Sequence, residues 1–320
     1  MLVEASVPGR VNLFGNPLDI YGGLVMSSSV GLRAKVSARL ADELVFVVGP
    51  VEFIVRDPNG LLYQSDRFDF LRALVRSMDG VPKCRIEAIT DIPIRSGLAG
   101  SAAYMVAASA CLLNLMGRAA SRDDILKAAH RAEVDFLGNF CGWNDFYACA
   151  LGGAHEFFYR EPIDGHPTVR SLALADDEAS FAIALTGNRH VSGSVNSNLW
   201  ARWREGDPVV RGEYGKLMEL GPSARRAFDH RDWSAFGKLM LENFMCQRRL
   251  AAANEIEHQL VHAAMDHGAF GAKLSGAGYC GSIVVLARNG DHEGIHRALE
   301  PLGVQRYLKV EPTEGLAITR

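Results

Sequence analysis

The stretch that most constrains this chain runs from Cys84 to Met116. Cys84–Thr90 alternates apolar and polar side chains, the pattern of a half-buried strand, and Asp91 and Pro93 end it. Ala102–Met116 is a run of strong helix formers stopped by Gly117. Between them lie Ser96, Gly97, Leu98, Ala99, Gly100, Ser101 and Ala102. A strand, a Gly/Ser loop and a helix start in succession build an anion site. The free N–H groups at the helix N-terminus and the positive end of its dipole favour a phosphate. An ordinary strand-to-helix turn capped by Ser101 has the same composition, so the stretch does not decide by itself. A Walker A loop is excluded, because no Gly-Lys-Ser/Thr ending is present.

A second turn-rich segment lies near the start. Val3–Val7 reads as a short strand, and Pro8–Gly23 then carries Arg10, Asn12, Asn16 and Asp19 among Gly15, Pro17, Gly22 and Gly23. Amides and a carboxylate on such a loop can hold a polyhydroxyl ligand through paired donors and acceptors, although a surface turn reads the same way. Strands are expected at 32–40, 43–48 and 51–55 and a helix at 68–78. Further on, Ala128–Gly138 has helical periodicity and leads into Cys141, Gly142 and Asp145, with Asp145 twelve positions after Glu133.

The second half forms a different pattern. Phe181–Thr186 reads as a buried strand, followed by a Ser/Asn/Gly-rich loop and helices at 195–204, 209–219, 233–253 and 255–267. Gly276, Ala277 and Gly278 form a small-residue loop that can pack close to the phosphate loop, Cys280–Ala287 is a strand, 293–299 a helix and 304–309 a last strand. Six cysteines without a CxxC pair, and His190, His262 and His267 without metal-ligand spacing, give no metal centre and point to a reducing, cytoplasmic setting. A net charge of −3 offers no reason to expect nucleic acid, and no apolar run is long enough for a membrane span.

Three segments in this order, Pro8–Gly23, Ile92–Val106 and Gly271–Gly281, resemble the three motifs of the GHMP kinases over nearly the whole chain. The resemblance implies an α+β, two-domain GHMP kinase fold. An N-terminal ATP-binding domain (1–180) would hold a βαβ phosphate-loop unit, and a C-terminal domain (181–320) would be ferredoxin-like, with the site between them. It further implies ATP and Mg²⁺ as cofactors. Ser96 to Ala102 would hold the triphosphate, Ser101 and Glu133 the metal, and Asp145 would face the hydroxyl to be phosphorylated. Arg10 would lie across from Asp145 and stabilise charge near the transferring group.

Within the family, the segments around 15–23, 92–102, 191–207 and 242–249 are similar to the sugar-1-kinase branch and to the glucuronokinases, which phosphorylate the anomeric hydroxyl of a sugar acid. Asn12, Asn16, Asp19, Gly142, Arg189, Ser192 and Gly276 are then the expected acceptor contacts, with Arg189 and the Ser192 loop meeting a carboxylate. Asn16 and Pro17 stand where galactokinase-like members carry Glu-His, which argues against galactose itself. Ala102 replaces a serine, and Cys280 stands in the glycine-rich third motif. Two rivals are a non-catalytic sugar and ATP sensor of the same fold, and a family kinase acting on mevalonate. The expected state is a monomer or homodimer with a small-molecule substrate.

Overall fold

The computed structural model describes residues 1–163, 165–174, 176–187, 193–279 and 281–320. Its first sheet is built on a long antiparallel pair, β1 (Leu2–Phe14) and β2 (Gly23–Leu40), joined through the short helix α1 (Leu18–Tyr21). Beside the second half of β2 lies β5 (Cys84–Thr90); β3 (Leu44–Val48) runs parallel to β5, and β4 (Val51–Val55) closes that edge. Helix α2 (Asp69–Ser77) precedes β5. After β5 come α3 (Gly100–Leu115), α4 (Arg122–Arg131), a π-helical turn (Ala132–Phe136) and α5 (Asn144–Leu151). The chain then returns as β6 (Ala154–Tyr159) along the first part of β2, extended by β7 (Thr168–Ser171). β12 (Ala317–Thr319) pairs with β1 on the opposite edge.

The second sheet has the order β11-β8-β10-β9 and is antiparallel throughout. Its strands are β8 (Ala179–Leu185), β9 (Gly271–Leu274), β10 (Ser282–Arg288) and β11 (Arg306–Lys309). Four helices link β8 to β9: α6 (Gly193–Glu205), α7 (Pro208–Asp229), α8 (Trp233–Arg249) and α9 (Glu255–Asp266). One more, α10 (His292–Leu299), links β10 to β11. This is the ferredoxin-like arrangement expected from the resemblance.

Two differences from the sequence reading have physical causes. β1 does not stop at Val7 but continues to Phe14, so Arg10 and Asn12 lie in a strand rather than a surface turn. Its second half is buried on both faces, which erases the alternation that marks a half-buried strand. Helix α7 passes through Pro222 and ends at Asp229, where local signals stop it near Glu219. Buried Tyr214, Leu217, Ala224 and Phe228 show that tertiary packing overrides the proline there.

The helix that starts at the Gly/Ser loop is apolar all round, and α3 is accordingly buried on all sides against β1 and β2. The two sheets meet through aromatic side chains: Phe14 of β1 lies 6.4 Å from Phe236 of α8, and Phe236 lies 6.1 Å from Phe181 of β8.

Helix α8 crosses β9 with glycine on both sides. A Cβ on Gly237 would sit 2.1 Å from the Phe270 carbonyl oxygen, and one on Gly271 2.3 Å from that of Gly237. On an open helix surface Gly→Ala gains about 1 kcal/mol. Here overpacking against backbone, at about 1–3 kcal/mol, decides the sign. Gly237→Ala is expected to lower the unfolding free energy in a urea titration; an increase would show that the crossing has slack.

Candidate active site

Arg10 brings two distant segments together. The backbone of β1 is bulged between Pro8 and Gly9, and a Cβ on Gly9 would meet the Leu98 carbonyl oxygen at 2.7 Å. Glycine therefore lets the strand touch the loop, and the Arg10 amide donates to that same carbonyl at 3.0 Å. The Arg10 side chain is buried. Its Nε and Nη2 each donate to one oxygen of Asp145 at 2.7 Å, and Nη1 donates to the Gly97 carbonyl at 2.5 Å. Asp145 stands in the first turn of α5, and its carboxylate keeps about a third of its surface exposed (34%) on the side away from Arg10.

The loop before α3 is anchored by its carbonyls. Leu98 gives its oxygen to Arg10, Gly97 gives its oxygen to Arg10 and Ser275 Oγ (3.1 Å), and Ser96 gives its oxygen to Ser282 Oγ (2.5 Å). Gly97 (φ 71°) and Ala99 (φ 58°) are left-handed, and an alanine there costs about 1 kcal/mol. This strained path leads into α3, whose N-terminus carries no side-chain cap. The first-turn amides of Gly100, Ser101 and Ala102 thus have no helical acceptor and form the positive end of a buried helix dipole. Ser96 Oγ, itself buried, has no partner among the described residues.

Ser101 Oγ donates to Glu133 Oε1 at 2.8 Å. Glu133 lies in the π-helical turn, a rare geometry common at functional sites, and its side chain is buried. Its Oε2 is buried without a partner among the described residues. Burial pushes the Glu133 carboxyl up to about 7, and neighbouring Asp145 adds to the rise. A buried carboxylate with a spare oxygen, beside a hydroxyl and a second carboxylate, is a hard donor set that fits a divalent cation. Among the described residues no group of three or more His, Cys, Asp or Glu could hold a metal by itself. That is compatible with Mg²⁺, which takes one or two protein ligands and completes its shell with water and phosphate oxygens.

A polar cluster lies on the other side of Asp145. Asn144 Nδ2 and Ser27 Oγ both donate to Asn12 Oδ1, at 2.8 and 2.7 Å. The Asn144 amide donates to Asp19 Oδ2 at 3.1 Å. A Cβ on Gly142 would lie 2.2 Å from that same Asp19 oxygen, so glycine is what lets Asp19 enter. Burial, followed by the charge of Asp145, pushes Asp19 up to about 7. Tyr21 of α1 stacks on Tyr214 of α7 at 4.0 Å and lies 5.0 Å from Trp203 of α6, walling this end.

The third motif closes the floor. Asn16 Nδ2 donates to the Gly276 carbonyl at 2.7 Å, as does Gln247 Nε2 at 3.2 Å. A Cβ on Gly278 would fall 1.6 Å from the Ala252 carbonyl oxygen, so its loop is pressed on the residues after α8. Lys273 of β9, fully buried, reaches across to Asn12 and Asn16.

Arg10, Asn12, Asn16, Asp19, Ser96–Ala102, Glu133, Gly142, Asp145 and Gly276 are therefore gathered in one neighbourhood where the two sheets meet. Arg189 and Ser192, expected on the acceptor side, lie outside the described residues, as do His190 and Cys280. Sequence reasoning missed Asn144, Ser27, Lys273 and Asn243. Asn144 stands next to Asp145, beside Trp143 and Phe146, and was legible as a polar residue in apolar company, whereas Lys273 looks like an ordinary lysine beside a small-residue loop. Asn243 and Ser27 look like ordinary helix and strand positions.

Comparison with known proteins gives the family. The family model described as GHMP kinases N terminal domain matches residues 67–153, and that described as GHMP kinases C terminal matches 224–302. A probable glucuronokinase 2 of Arabidopsis thaliana is 26% identical over 88% of this chain and 83% of its own length. A mevalonate kinase of Pyrococcus abyssi is 24% identical over 99% of this chain and 98% of its own. The crystal structure of Lactococcus lactis galactokinase complexed with galactose superposes with a TM-score of 0.85, at 18% identity, covering 99% of this chain and 95% of that one.

Asp19 supplies a pH test of the cluster. Its folded value is raised from 3.8 to about 7, so the folded state holds the proton more tightly than the unfolded state between those limits. The stability this contributes is complete below pH 3.8 and lost as pH rises to about 7. Asp19→Asn, which keeps an acceptor oxygen for the Asn144 amide, is expected to gain on the wild type across that window. The gain should reach a few kcal/mol at most, given about 1.36 kcal/mol per pH unit. Unfolding curves of both proteins at pH 4, 5.5 and 7.5 check it; a difference that stays constant with pH would place Asp19 in water.

Proposed function

The chain belongs to the GHMP kinases, and on that basis we propose that it transfers the terminal phosphoryl group of ATP to a hydroxyl of a sugar or sugar acid. The favoured acceptor is the anomeric hydroxyl, with glucuronate first. The observation that carries this reading is the double grip of Arg10. One guanidinium holds both the carbonyl of the phosphate loop at Gly97 and the carboxylate of Asp145. A loop for phosphate and a carboxylate for an incoming hydroxyl are thereby kept at a fixed separation, which phosphoryl transfer requires above all.

In this reading the first-turn amides of α3 bind the triphosphate, and Ser96 to Ala102 form its cradle. Ser101 and Glu133 hold Mg²⁺, which when bound neutralises phosphate charge. Asp145 orients the acceptor O–H and takes its proton as the oxygen–phosphorus bond forms and ADP leaves. Arg10 keeps Asp145 in one orientation and puts a positive charge beside the transferring group. Asn12, Asn16, Asp19, Gly142 and Gly276 shape the acceptor pocket, and Arg189 with Ser192 meets the carboxylate of a sugar acid. Residues 1–180 form the ATP-binding domain, to whose sheet the last strand β12 returns, the second domain begins at 181, and the enzyme works in the cytoplasm.

The relatives support a second reading equally, phosphorylation of mevalonate, because the Pyrococcus abyssi mevalonate kinase matches over 99% of this chain and the glucuronokinase over 88%. A non-catalytic sensor is less well supported, since Ser101, Glu133 and Asp145 are all present and joined by the contacts above.

ADP release over a panel of glucuronate, glucose, galactose and mevalonate separates these readings. Turnover of glucuronate is expected, with kcat/KM above that for glucose by about 2–3 kcal/mol, because a neutral sugar leaves a cation unpaired. Turnover of mevalonate alone would replace the acceptor, and binding without ADP release would favour the sensor. Asp145→Asn is expected to lower kcat about 10²–10⁴-fold, the usual contribution of a general base, with ATP binding little changed. Near-normal turnover would remove Asp145 from the chemistry.

A further inference from the structure

Lys273 projects from β9 of the second sheet and is fully buried (0% exposed). Its ammonium group donates to the carbonyl of Leu274 at 2.5 Å, to the carbonyl of Asn12 at 3.3 Å and to Asn16 Oδ1. These acceptors are neutral oxygens, one from its own strand, one from β1 and one from the loop after β1. Burying an amine among neutral groups is costly, and an apolar side chain of similar length would fill the space without that cost. What only a lysine supplies here is three N–H donors diverging from one point.

Two of those donors fix the same stretch of chain. Asn16 presents Oδ1 to Lys273 and Nδ2 to the Gly276 carbonyl, so both ends of its amide are held by the third motif. Its backbone carbonyl accepts from Asn243 Nδ2 at 3.2 Å, and Asn243 Oδ1 accepts from the Gly15 amide at 2.8 Å. The segment so pinned leads within three residues to Asp19, which lies against Gly142 and the Asn144 amide beside Asp145.

We propose that Lys273 is a positioning residue: from the second sheet, it fixes the Gly15–Asp19 loop and thereby the acceptor side of the cleft, without touching the acceptor or the nucleotide. The consequence for kinetics rests on the kinase reading above; the consequence for the loop does not.

Both are measured on the full chain, as wild type, Lys273→Met, Asn16→Ala and the double variant. Hydrogen exchange of the ligand-free proteins comes first. Lys273→Met is expected to exchange about tenfold faster or more over residues 15–21, with residues 96–102 unchanged, since losing satisfied buried partners costs about 1–3 kcal/mol. Unchanged exchange at 15–21, or equal acceleration in both loops, would overturn the proposal whether or not the protein is a kinase. With the acceptor from the ADP-release panel, KM for the acceptor should rise about tenfold or more and KM for ATP stay within about twofold. The double variant should fall short of the product of the two single effects, because both changes break the Lys273–Asn16 contact they share. Multiplying effects, or equal losses for ATP and acceptor, would overturn it. Should Lys273→Met fail to fold, Asn16→Ala, which removes the amide held by Lys273 and Gly276, must show the same acceleration at 15–21; normal exchange there would count against Lys273.

Discussion

The buried guanidinium of Arg10 is the constraint on which the cleft depends. A cation taken out of water must be paired and hydrogen-bonded on all sides, and Arg10 meets that demand with the carboxylate of Asp145 and the carbonyl of Gly97. The two partners come from separate elements, so satisfying one arginine aligns α5 with the loop before α3. The local backbone serves the same end: the bulge at Pro8 and Gly9 turns β1 toward the loop, and the missing Cβ of Gly9 admits the Leu98 carbonyl. A lysine could not hold this arrangement, because a single ammonium cannot span a carboxylate as a planar fork does.

Around that pair the cleft gathers more charge than it neutralises. Burial pushes the Asp19 and Glu133 carboxyls both up to about 7, and the charge of Asp145 adds to the rise in each. On the other side, burial and the nearby charge of Arg10 push Lys273 well below its ordinary value. The cleft thus holds groups of both signs that are poorly solvated and incompletely matched. Such a cleft interacts strongly with anything that brings compensating charge, a metal to Glu133 or phosphate oxygens to the α3 amides.

Much of this was legible in the sequence, and the limits have physical causes. The Gly/Ser loop could be read because strand, loop and helix signals follow one another without ambiguity, and Glu133 and Asp145 because motif spacing survives when identity is low. The extent of β1 could not be read, since Arg10 and Asn12 look like loop residues until both faces of the strand are known to be buried. Periodicity likewise has no sign for the π-helical turn at Glu133, which lengthens a helix by one residue within a continuous helical pattern. Lys273 looked like an ordinary exposed lysine beside a small-residue loop. Only its contacts with Asn12 and Asn16 in the fold show that it is turned inward.

The contacts of Asn12 and Asn16 also set the order in which the protein can mature. Each reaches a partner about 260 positions away in the chain, Asn12 to Lys273 and Asn16 to Gly276. Such pairings are slow to form, because a long loop must close before any contact rewards it. On a ribosome, β1, β2 and the phosphate loop are available well before α8 and β9 emerge, and until then the face of β1 that meets α8 has no cover. Nascent chains therefore pass through a stage in which the nucleotide side of the cleft is shaped and the acceptor side is not, with apolar residues such as Phe14 open to solvent. That stage is when a chaperone has most to bind.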